Sequence, residues 1–162
     1  MDNLMQAPLT ICLSKVALAA GTTTTLSTTG TTTFGVKGKA YTQAAITNGA
    51  TPTLDSTTGL AFTPIAANQG SVFLVGLAGG SSTLQVSQGQ VMPLDVSGNF
   101  MQSAPSFPEV PDTVCPIGYI VVKAGATAVG TWTMGTNNNS GVTGLTYTFQ
   151  DLITLPGRPQ VS

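Results

Sequence analysis

The stretch Ser71-Val72-Phe73-Leu74-Val75-Gly76-Leu77, followed by Gly79-Gly80-Ser81-Ser82 and by Thr83-Leu84-Gln85-Val86-Ser87-Gln88, decides how the chain reads. Its first part is apolar at nearly every position, the pattern of a strand covered on both faces. Its last part alternates, with Leu84 and Val86 set against Gln85, Ser87 and Gln88, so one face is expected to be buried and the other wet or covered by a partner. The small residues between them form a flexible turn. Together the three pieces predict a hairpin in the core of a sheet.

The same grammar extends in both directions. Thr, Val, Ile, Phe and Tyr fill the ordered stretches, and Gly, Asn, Ser and Pro interrupt them at short intervals, which is the signature of an all-β chain. Strands are expected at 10–18, 31–36, 40–46, 59–63, 71–77, 83–91, 118–123, 130–134 and 144–152. In the last of these Leu145, Tyr147 and Phe149 oppose Thr146, Thr148 and Gln150. No long window keeps a 3.6-residue period free of Gly or Thr clusters, so helix should be scarce. The 162 residues therefore read as one all-β domain, a compact β-sandwich or barrel-like body of about eight or nine strands.

Three segments stand outside that pattern. Residues 1–10 (MDNLMQAPLT) read as an extended N-terminal arm, and residues 21–33 (GTTTTLSTTGTTT) as a Thr-rich loop or exposed strand. Residues 105–116 (PSFPEVPDTVCP) contain prolines that cannot donate ladder hydrogen bonds, so this stretch is expected to run extended and irregular. Asn48-Gly49 and Ser97-Gly98-Asn99 are turn signals that favour positive φ. An Ala17-Leu18-Ala19 triplet looks like a signal-peptidase site. Asp2 in place of a positive n-region, Pro8 and Lys15 all argue against that, and the chain reads as unexported.

Composition limits the chemistry. There are five Lys or Arg, six Asp or Glu and no histidine, against 27 threonines and 19 glycines. Without histidine there is no imidazole base near neutral pH. A net charge of −1 offers no basic field for nucleic acid, and no apolar run is long enough to span a bilayer as a helix. Cys12 and Cys115 lie too far apart for a CxxC or metal pattern and read as buried thiols. Gly35-Val36-Lys37-Gly38-Lys39 lacks the features of a phosphate loop and reads as a basic turn. Asp95-Val96-Ser97-Gly98-Asn99 begins like a calcium loop but has Ser106 where a bidentate Glu is required, so an Asx turn is expected. Trp132, Tyr41, Tyr119 and Tyr147 read as core residues more readily than as a sugar platform. The expectation is a non-enzyme without cofactor, whose weakly charged surface is covered by other subunits.

From Lys37 onward the runs GKAYTQAAITNGATPT, GLAFTPIAANQGSVFLVG, FPEVPDTVCPIGYIVVKAG and TGLTYTFQDLITLPGRPQ resemble small virion structural proteins of tailed bacteriophages, most of all the capsid decoration or cement class. The resemblance covers roughly residues 35–160, and PDTVCPIGYIVVKAG and QDLITLPGRP carry it best. It implies a protein on the outer face of an icosahedral head, made in the host cytoplasm, commonly a homotrimer, clamping adjacent major capsid protein subunits. Arms suit that role, and Leu4, Met5, Phe107, Val110 and Arg158 are the expected contact residues. A fibre-base or host-attachment module that binds glycan is the alternative. A hydrolase would need two of Asp95, Glu109, Asp112 and Asp151 in one cleft.

Overall fold

The structure, a computed structural model, describes residues 9–101, 103–153 and 159, and among these it contains strands and no helix. Eleven strands follow in chain order: β1 (Ile11–Cys12), β2 (Ala19–Ala20), β3 (Thr25–Ser27), β4 (Thr32–Val36), β5 (Lys39–Gln43), β6 (Gly49–Ala50), β7 (Gln69–Ala78), β8 (Leu84–Gln88), β9 (Met92–Pro93), β10 (Val114–Ala124) and β11 (Leu145–Asp151). They make a main antiparallel sheet ordered β11-β10-β7-β8, with β9 beside the start of β7, and two small sheets, β1-β4-β5 and β2-β3-β6. The fold is all-β and sandwich-like.

β7 is the centre of the main sheet, and every residue from Gly70 to Leu77 is buried. In register, Phe73 lies opposite Ile120 on one side and Gln88 on the other. One face of the sheet presents Phe73, Val75, Leu77, Ile120, Val122 and Val86 to a large core that also holds Phe34, Leu26, Ile65 and Trp132. The opposite face presents Val72, Leu74, Tyr119 and Val121, which with Leu152 are covered by Phe100, Phe107 and Val110. Both faces are dry, which is why β7 does not alternate. Each such side chain contributes about 1.5–3 kcal/mol by leaving water. Gly76 is required by contact: a Cβ there would collide with Val114 Cγ1 and crowd the Cys115 carbonyl. It pairs with Pro116, beside which the β7 register slips, so the missing N–H of proline sits at a β-bulge.

Several expected boundaries shift. The stretch 10–18 is a strand only at Ile11–Cys12, because the Ser14 hydroxyl takes over the Thr33 N–H at 2.6 Å and Ala17 turns the chain at φ 48°. Residues 59–63 and 130–134 form isolated bridges, Leu54 to Ala61 and Ile65 to Trp132. These segments are held instead by single large side chains, since Phe62 and Trp132 both pack edge-on against Phe73. The 83–91 strand ends at Gln88, and Gly89 N–H donates to Val72 O. The last residues of 105–116 are not irregular, because β10 already begins at Val114. The Thr-rich stretch yields β3, whose Leu26 is fully buried between β2 and β6, and the start of β4. Lys37 and Gly38, at φ 50° and 78°, close the β4–β5 hairpin as a primed two-residue turn.

Candidate functional site

The proline-rich segment does not swing free of the body. Phe107 packs edge-to-face on Tyr119, with ring centroids 5.0 Å apart, and so anchors the segment to the main sheet instead of presenting its ring outward. Val110 joins the same cluster at its margin and lines an open cleft of about 450 Å³ with Thr10, Lys37, Pro111, Asp112, Val114 and Pro116. Across the mouth, Thr10 Oγ1 accepts from Lys37 N–H at 3.2 Å and Leu9 O accepts from Gly38 N–H at 3.0 Å. The start of the described chain is thereby fastened to the β4–β5 turn.

A second cleft, about 240 Å³, adjoins the first through the shared residues Thr10 and Pro116 and is lined further by Leu9, Ile11, Cys12, Leu152 and Ile153. Leu9 and Ile153 are 60% and 52% exposed, and Leu13, the residue after Cys12 at the end of β1, is 59% exposed. Two adjoining clefts are therefore lined mainly by apolar side chains, with exposed Leu9 and Ile153 in the wall of the second and Lys37 and Asp112 as the charges in the wall of the first. Exposed apolar surface of this kind commonly marks a contact site.

Of the expected contact residues, the structure places Val110 in this surface and Phe107 beneath it. Leu4, Met5 and Arg158 lie outside the described residues. Leu9, Leu13, Lys37, Asp112 and Ile153 were not singled out as contacts in the sequence. Reading 10–18 as one strand hid Leu13, and only tertiary structure brings Lys37 and Asp112 to the wall of one cleft.

Three of the carboxylates brace the fold. Asp55 is buried and accepts from Thr57 N–H, Thr58 N–H and Gln88 N–H at 2.8, 2.9 and 2.6 Å. Asp95 accepts from Ser97 and Asn99 N–H, the expected Asx turn, and the Asn99 bond holds its carboxyl below the ordinary range. Asp151 accepts from Leu18 N–H at 2.8 Å. No cluster of three or more metal-ligating side chains occurs among the described residues. Cys12 and Cys115 are free, buried thiols; burial pushes Cys115 up to about 12 and also raises Cys12, so neither is poised as a nucleophile. Trp132 is buried between Phe73 and Tyr147, its indole N–H donating to Asn138 O at 2.8 Å, and Tyr119 is buried as well. Comparison of the chain with protein-family models, with curated proteins and with solved structures finds no match.

Proposed function

We propose that this protein is a non-enzymatic virion component that decorates the outer surface of a phage head and stabilises it by binding across adjacent major capsid protein subunits, as a homotrimer on the particle. The observation that carries the reading is the pair of adjoining clefts, with exposed Leu9 and Ile153 in one wall, to which the proline-rich segment contributes Val110. Permanent contact would remove that apolar surface from water, and the scarcity of charge suits a surface that is covered in use. A body dry on both faces of its main sheet gives a clamp the stiffness to transmit load. The glycan-binding alternative has less support, because Trp132 and Tyr119 are engaged inside the domain.

The test is to heat particles that carry the protein and particles stripped of it. Decorated heads should disrupt at a higher temperature, and a Leu9→Glu, Ile153→Glu double variant should fold normally, bind poorly and restore little of the difference. Equal disruption temperatures for decorated and stripped heads would reject the stabilising role.

A further inference from the structure

The two edges of the main sheet are finished differently. At the β8 edge, Ser56 N–H donates to Val86 O at 2.8 Å and Gln88 N–H donates to Asp55 Oδ2, so the 55–57 turn caps two of the outward groups. At the other edge lies β11, seven residues long, with no strand on its outer side among the described residues. Two flanking bonds, Leu152 N–H to Ile117 O and Gly125 N–H to Gly144 O, fix the phase of the β10–β11 ladder. Thr146, Thr148 and Gln150 therefore turn their backbone groups towards β10, and Leu145, Tyr147, Phe149 and Asp151 turn theirs outward. None of the seven residues is fully buried, whereas most of β10 is. The strand carries no proline, no lysine and no bulge, the usual guards of a free edge.

We propose that this edge is an interface between two copies of the chain, with β11 pairing antiparallel to β11 about a two-fold axis at Thr148 and joining two main sheets into one. The sequence is self-complementary in that register. Tyr147 of each copy falls opposite Phe149 of the other, Thr148 opposite Thr148, Thr146 opposite Gln150, and Leu145 opposite Asp151. It is the register that uses the full strand, and it places aromatic beside aromatic and hydroxyl beside hydroxyl. The one charge, Asp151, is already engaged by Leu18 N–H, and the two copies of it lie at opposite ends of the ribbon. The proposal does not depend on the capsid reading, since particle heating and solution association can succeed or fail separately.

Sedimentation of the intact protein and cysteine crosslinking test it together. Thr148 pairs with its own copy at a position with Cα atoms about 4.5 Å apart, suited to a disulfide. Thr148→Cys should give a covalent dimer under mild oxidation about tenfold faster than Thr146→Cys or Gln150→Cys alone, while a mixture of those two should crosslink efficiently. The native thiols are buried and should not contribute. Wild type should sediment as a dimer, and Thr148→Lys, which sets two ammonium groups face to face, as a monomer with unchanged circular dichroism. A wild-type protein that stays monomeric up to about 100 µM, as it would if the edge took only a foreign strand, overturns the proposal, and so does crosslinking that ignores this register.

Discussion

The main sheet and the Thr-rich amino-terminal quarter solve the same problem by opposite means. In β7 and β10 long ladders run between two dry faces, and Phe73, Val75, Leu77 and Val122 have no accessible surface. In the β1-β4-β5 and β2-β3-β6 sheets most strands are two or three residues long, and side chains complete what the ladders leave open. Thr28 Oγ1 accepts from Ile46 N–H, Ser14 Oγ from Thr33 N–H, and Asn48 Oδ1 from Thr22 N–H. Asn139 ties the 131–139 loop across this region, its N–H to Thr23 O and its side-chain amide to Thr25 O and Thr51 Oγ1. Threonine here acts as backbone glue more than as a sheet former, which explains how the chain solvates and braces itself with so few charges.

That contrast can be broken first at its strongest point. Phe73 is fully buried beneath Phe62 and Trp132, so Phe73→Ala should cost about 3–5 kcal/mol in urea unfolding. A loss under about 1 kcal/mol would mean the sheet core is not what holds the fold. Asp55→Ala strips three N–H groups of their acceptor at the capped β8 edge and should cost about 2–3 kcal/mol. Thr28→Val should cost about 1 kcal/mol. Hydrogen exchange should localise that loss to β2, β3 and β6 while β7 and β10 keep their protection; uniform loss would merge the two regions into one cooperative unit.

The smallest effect is in pH. The Cys115 thiol is raised to about 12 by burial, so the unfolded chain releases its proton first as pH climbs past the ordinary thiol value near 9. Its stabilising contribution is complete below that value and declines between about 9 and 12. Urea midpoints should therefore fall over this range more steeply in wild type than in Cys115→Ala. Equal slopes would show that the thiol is not desolvated.

How much was legible follows the same division. The unbroken apolar run 71–77 and the alternation in Leu84-Val86 and Leu145-Tyr147-Phe149 place three of the four principal strands, because burial on a pleated sheet leaves a period in the sequence. The fourth, β10, is legible from Gly118 on but not at Val114–Pro116, where a bulge accommodates proline. In the Thr-rich quarter the determinants are hydroxyl-to-backbone bonds between residues about twenty apart in the chain, which no local window detects. The candidate surface was half legible: Val110 sits in a segment marked by its prolines, but Leu9 and Ile153 share a cleft only when β1 and the end of β11 are brought to one side.

Imaging of intact particles that contain this chain tests the central claim most directly. The account predicts density on the outer face of the head, with the side carrying Leu9, Val110 and Ile153 seated on the capsid shell. Density on the tail or neck, or a head-bound copy with that side facing solvent, would contradict it.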